Sequence, residues 1–83
     1  MAATDEVRVF SMPGCDHCKQ VKQFLERHGV PFSDHDLTSD AEGQRFMDER
    51  GYRVVPVVSV GDDVHIGGDT SALADLLVAH GLI

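Results

Sequence analysis

The sequence predicts a small α/β domain, a four-stranded mixed sheet with three helices in the order βαβαββα. Three observations carry that expectation. Short runs alternate apolar and polar residues as strands do. Longer runs place apolar residues at helical spacing and close on glycine. Gly61-Asp62 separates two valine-containing runs as a hairpin turn would. With 83 residues the chain has room for one domain, residues 1–83, in which residues 1–5 read as a flexible lead-in.

Glu6 to Phe10 alternates and reads as the first strand, and Ser11-Met12-Pro13-Gly14 as a turn. A helix from Asp16 follows, its inward stripe being Cys18, Val21, Phe24, Leu25 and His28. Gly29 suits a left-handed cap, and Pro31 stops continuation. Phe32 to Leu37 is the second strand. Ser39-Asp40-Ala41-Glu42 has capping-box spacing and opens a second helix that runs to about Arg50 and ends at Gly51. Val57–Val60 and Val64–Ile66 form the hairpin strands. After Gly67-Gly68, the oxygens of Asp69, Thr70 and Ser71 can cap a last helix with Leu73, Leu76, Leu77 and His80 on one face, closed by Gly81. A strand-helix-strand start implies a parallel pair with a right-handed crossover, and the hairpin adds two antiparallel strands.

Composition removes several functions. Fourteen acidic residues against seven basic ones, a formal charge of −7, leave little with which to neutralise phosphates. They also disfavour attachment to anionic membranes. An apolar fraction of 42% is too high for a disordered chain. The amino-terminal residues are acidic and lack an apolar signal core, and Val54–Val60 is too short to span a bilayer, so a cytoplasmic location is expected. The acids Asp34, Asp36, Asp40, Glu42, Asp48 and Glu49 read as a solvated face, with docking of a basic partner such as a reductase as the other reading.

The two cysteines, Cys15 and Cys18, are too close in sequence for a useful staple. In a reducing compartment such a pair is redox-active or binds metal. Its place between a strand and a helix start decides the chemistry expected of it. Free backbone N–H groups and the helix dipole favour the nucleophilic thiolate of Cys15, while Cys18 lies one turn deeper on the same face. Cys15 would attack a substrate disulfide, and Cys18 would then displace the reduced product. His17 would favour the thiolate when protonated and Asp16 would oppose it, while Lys19 and Lys22 add positive potential unless they are only a solvated face. A zinc site would need more ligands. The candidates His17, His28, His35, His65 and His80 form no H-x₃₋₅-H pair, and His28 and His80 fit helix ends instead.

With this element order, the run Ser11-Met12-Pro13-Gly14-Cys15-Asp16-His17-Cys18, the segment Gly51-Tyr52-Arg53-Val54-Val55-Pro56 and the pair Gly67-Gly68, residues 6–80 resemble a glutaredoxin of the thioredoxin-fold superfamily. The resemblance implies a thioredoxin-like fold and a small dithiol thiol–disulfide oxidoreductase that serves as an electron donor in cell redox homeostasis. It implies Cys15 and Cys18 as the catalytic pair and Pro56 as a cis proline beside the nucleophile. Val55 would pair through its backbone with an extended substrate or glutathione. Gly67 and Gly68 would allow close approach of a ligand, and the helix start at Asp69 and Thr70 would take the glutamyl carboxylate. His17 and Arg53 complete the expected binding set. The implied partners are disulfide-containing proteins, with glutathione as co-substrate, thioredoxin reductase as electron donor, or both. No tightly bound cofactor is implied, and a monomer is expected.

Three positions depart from the family pattern. Met12 stands where a cation often holds the glycyl carboxylate, His17 replaces a common Tyr, and Thr70 stands where an acid often follows the glycines. Each weakens the expected hold on glutathione, and Arg53 could supply part of the missing charge. Related redoxins are reduced by thioredoxin reductase and supply ribonucleotide reductase, but Ile66 to Ser71 lacks most of their aromatic-Ser-Gly-Phe-Arg-Pro segment. A further alternative is a dimer holding an iron–sulfur cluster through Cys15 and glutathione.

Overall fold

The alternating run after Glu6 forms the strand at the middle of the sheet, β1 (Val7–Ser11), in the computed structural model, which describes residues 6–83. The lead-in expected over residues 1–5 lies outside them. The remaining elements are α1 (Asp16–Arg27), β2 (Ser33–Asp36), α2 (Ala41–Arg50), β3 (Val57–Val60), β4 (Asp63–Ile66) and α3 (Thr70–Ala79). The strand order is β2-β1-β3-β4. β1 runs parallel to β2 with Val9 opposite Asp34, and antiparallel to β3 with Val9 opposite Val58. β3 and β4 close the hairpin with Val58 opposite His65. The expected βαβαββα mixed sheet is therefore the fold.

The strand period of two sorts the core into two layers. Val7, Val9, Val58 and Val60 face one way and meet Val21 and Leu25 of α1 and Leu73 and Leu77 of α3. Phe10 and Val57 face the other way and meet Phe46 and Met47 of α2. Phe46 stacks on Phe10 with ring centroids 4.3 Å apart, an arrangement worth about 0.5–1.5 kcal/mol beyond its burial. The Arg50 guanidinium lies 3.9 Å from the centre of the same ring, and that of Arg8 5.3 Å. Two strands are offset by one residue from expectation: β1 runs Val7–Ser11 instead of Glu6–Phe10, and β4 begins at Asp63 instead of Val64.

Two further expectations are corrected. His28 is not on the inward stripe of α1; it is the exposed C-cap residue, its ring tilted against Phe24 at 4.5 Å. Ser39 does not cap α2. Asp40 holds the N-cap position, and its carboxylate pairs with His35 Nδ1 instead of the helix amides. That hydrogen bond holds the Asp40 carboxyl below its ordinary range. The acidic run is a solvated face, with Asp34, Glu42, Asp48 and Glu49 exposed, and some of its carboxylates carry surface partners. Asp34 pairs with Lys22 and Ser11, and Asp36 accepts from the backbone N–H and hydroxyl of Thr38 at 2.9 and 2.7 Å. The two donors pull the Asp36 carboxyl down as well.

Candidate functional site

The site grows from the junction of β1 and α1. Gly14 turns the chain with φ +77°, a region that glycine enters without a Cβ penalty. Cys15 then sits at the N-cap of α1 in extended conformation, with φ −91° and ψ 109°. Its Sγ accepts a hydrogen bond from the Cys18 backbone N–H at 3.1 Å, as an N-cap serine oxygen would. One of the free donors of the helix start is thus aimed at the sulfur.

The two sulfurs differ in environment. Cys15 is half-buried, whereas Cys18 is 1% exposed. Both are free thiols. Burial pushes the Cys18 thiol up from 9.0 to about 11; the hydrogen bond to Cys15 and the Cys15 charge add to this, while the Met12 backbone and Lys22 pull it down. Cys15 is therefore the sulfur open to an incoming disulfide, and Cys18 is the protonated sulfur behind it.

The remaining expected residues fall into two groups around this pair. The Val55–Pro56 peptide bond is cis, Pro56 is buried, and its carbonyl accepts from the Gly67 N–H at 2.9 Å. Gly67 itself has φ +101°. Gly68 lies directly against His17: a Cβ added there would sit 2.9 Å from His17 Cβ and Cγ. The glycine pair thus joins the entry of β3 to the first turn of α1. Asp69 is the N-cap of α3, and its Oδ1 accepts from the Ser71 and Ala72 N–H groups at 3.0 and 3.4 Å. A ligand carboxylate arriving at this helix start would meet the chain's own carboxylate first.

Two hollows contain residues of the expected set, and neither is lined by the cysteines themselves. The larger, of about 370 Å³, has Met12, Leu37, Met47, Tyr52 and Val55 as apolar lining, with Gln44, Asp48 and Arg53 adding polar groups. It brings together Arg53 and Val55 of the expected set. The smaller, of about 280 Å³, holds Gly68 and Thr70 with Gln20, Gln23, Phe24 and Arg27. The expected binding residues are therefore divided between two surfaces. Leu37, Gln44, Met47, Asp48 and Tyr52 were not anticipated in the lining. Their signal was topological, since ligands of open α/β sheets gather beyond the carboxyl ends of parallel strands, and Leu37 directly follows β2. Among the described residues, no group of three or more His, Cys, Asp or Glu side chains is placed to hold a metal ion, and no helix is long and apolar enough to cross a membrane.

The glutaredoxin family model matches residues 7–66, which span every strand and both cysteines. The chain belongs to the glutaredoxin family. It is 33% identical over 70 residues to the glutaredoxin-like protein NrdH of Lactococcus lactis subsp. cremoris, covering 84% of this chain and 97% of that one. Among solved structures, the thioredoxin-like protein BC3987 superposes with a TM-score of 0.79 at 27% identity, covering 87% of this chain and 100% of that one. The NrdH-redoxin of Escherichia coli superposes with a TM-score of 0.77 over 86% of this chain and 93% of its own, at 22% identity, which shows a common fold. As a glutaredoxin-family member with Cys15 and Cys18 in the C-x-x-C arrangement, the chain is a thiol–disulfide oxidoreductase with a thioredoxin-like fold, and it acts on disulfide substrates.

Proposed function

We propose that the chain is a dithiol reductant of polypeptide disulfides, with Cys15 as nucleophile and Cys18 as resolving thiol. The observation that carries this reading is the unlike pair of sulfurs, one half-buried at a helix N-cap and one enclosed with its thiol at about 11. In the first step the Cys15 thiolate attacks a substrate disulfide. A Cys15–substrate bond forms, and one substrate thiolate leaves with the electron pair of the broken bond. In the second step Cys18 loses its proton and attacks Cys15 Sγ. The Cys15–Cys18 bond forms and the second substrate thiolate departs. The substrate gains two electrons and the chain is left as the disulfide.

Exposed apolar side chains in and beside the groove support a polypeptide as substrate. Met12, 46% exposed, and Val54, 54% exposed, present apolar surface next to the redox turn and the proline segment. An apolar stretch flanking a substrate cysteine would be partly desolvated there, at about 25 cal/mol for each Å² removed from water. The same lining supports a flavoprotein thioredoxin reductase as the source of electrons. Met12 supplies no charge for a glycyl carboxylate, and Asp69 occupies two amides at the start of α3. A second reading keeps glutathione as reductant and is favoured by Arg53, which supplies a cation to the groove. In either case the chain acts as a monomer in the cytoplasm, where thiols are kept reduced.

Paired assays of NADPH consumption test the proposal. One contains thioredoxin reductase, the other glutathione with its reductase, and both contain a protein disulfide. Turnover is expected in the first arm and to be much weaker in the second. Turnover confined to the glutathione arm refutes the reductase reading, and turnover that survives Cys15→Ser refutes the nucleophile.

A further inference from the structure

One helical turn beyond Cys18 begins a small polar cluster that the reaction as written leaves unused. Lys22 Nζ and Asp34 Oδ2 are 2.9 Å apart, and the Ser11 hydroxyl donates to Asp34 Oδ1 at 2.8 Å. Each member comes from a different element. Ser11 ends β1, is 3% exposed, and also accepts the Leu37 N–H at its carbonyl. Asp34 belongs to β2, and Lys22 to α1. Lys22 follows Cys18 by four residues, the interval that places two helical side chains one above the other on a single face. Lys19, by contrast, follows Cys18 directly and is exposed.

A lysine on a helix surface ordinarily turns its ammonium into water. Here the carboxylate draws the ammonium towards the sheet, and the buried hydroxyl fixes the carboxylate. The ammonium is thereby tethered to β2 by a side chain that starts one helical turn beyond Cys18. We infer that Lys22, tethered by Asp34 and Ser11, is a positioning residue for the second step, its fixed charge favouring the Cys18 thiolate that releases the substrate.

Two groups favour ionisation of Cys18, the Met12 backbone and, as the one nearby side-chain charge that does so, Lys22. Cys15 opposes ionisation of Cys18 through its hydrogen bond and its charge, and burial opposes it more strongly. Lys22 acts in the other direction. β2 contributes Asp34 and Asp36, and the same lysine helps hold the Asp36 carboxyl ionised. α3, packed against α1, turns Leu73 and Leu77 inward and leaves Asp75 exposed. Loss of the Cys18 proton is the costly part of the release step, because the group must become an anion where water is scarce. A nearby cation reduces that cost without touching the substrate.

The inference rests on the dithiol reading, and one experiment separates the two. A symmetrical nitroaryl disulfide gives a coloured thiolate twice: Cys15 releases the first equivalent and Cys18 the second. In Lys22→Met the second equivalent is expected to appear roughly three- to tenfold more slowly at neutral pH, with its pH profile moved to higher pH. Lys22→Arg, which keeps the charge, is expected to restore both. In the Cys18→Ser background the second equivalent should be lost and Lys22→Met should change nothing further. A second equivalent in Lys22→Met with unchanged rate and pH profile overturns the role of Lys22, as does equal slowing of both equivalents. A second equivalent that persists in Cys18→Ser overturns the dithiol reading instead.

Discussion

Gly68 and His17 touch: the glycine Cα faces the imidazole so closely that a Cβ would lie 2.9 Å from His17 Cβ and Cγ and 3.2 Å from Nδ1. The glycine is there for space. Two of the three nearest atoms belong to the root of the side chain, so rotating the ring cannot remove the clash. Gly68→Ala is expected to push the glycine turn away from the start of α1, at about 1–3 kcal/mol. Thermal unfolding would read the loss of stability, and insulin disulfide reduction the loss of activity. Adding His17→Ala should recover part of both, since it removes Cγ and Nδ1 while the Cβ contact remains.

The contrast between the two sulfurs predicts different failures for their variants. Cys15→Ser should reduce disulfide turnover to background, because no accessible thiolate remains to attack. Cys18→Ser should still capture substrate but release it poorly, because the attacking group of the second step is gone. Mass spectrometry of the quenched reaction is expected to show a covalent adduct at Cys15 in Cys18→Ser and none in Cys15→Ser. An adduct on Cys18 in the wild-type chain would reverse the assigned roles.

Much of this site is legible in the sequence. The strand periods, the glycine stops and the Cys15-x-x-Cys18 spacing express local backbone preferences, and they placed the cysteines at a helix start correctly. What escaped were pairings across the fold. Nothing in Ser39-Asp40-Ala41-Glu42 reveals that the Asp40 carboxylate is engaged by His35, five residues before it. Likewise the partners of Asp34 within the acidic run, Lys22 and Ser11, lie elsewhere in sequence. The groove was half legible: Arg53 and Val55 stand in a recognisable segment, whereas Met47 and Leu37 reach it through the packing of α2 and the end of β2.

The second core layer predicts a localised dependence on one ring. Phe46 is the residue of α2 that meets Phe10, Arg8 and Arg50 at once. Phe46→Ala should cost about 3–5 kcal/mol, the usual cost of emptying a buried aromatic site. That is a large share of the total stability of so short a chain. Phe46→Leu, which retains much of the volume, should cost less. Urea unfolding of the two variants against the wild type would check both values, and equal midpoints for all three would refute the central place given to this ring.

The enclosed thiol of Cys18 makes stability depend on alkaline pH with a definite sign. Its folded-state value is raised from 9.0 to about 11, chiefly by burial, so the folded chain holds this proton more tightly than the unfolded one. The stabilisation is complete below the unfolded value and is lost as pH rises through the folded one. Its size is on the order of 2 kcal/mol. Other groups titrate in the same range, so the informative quantity is a difference. Chemical unfolding of the reduced wild type and of Cys18→Ala, each at about pH 8 and about pH 11, should show the wild type losing more stability between the two conditions. Parallel losses would mean that Cys18 ionises as readily in the folded chain as in the unfolded one, and burial would then no longer explain why its proton must be drawn off before substrate can leave.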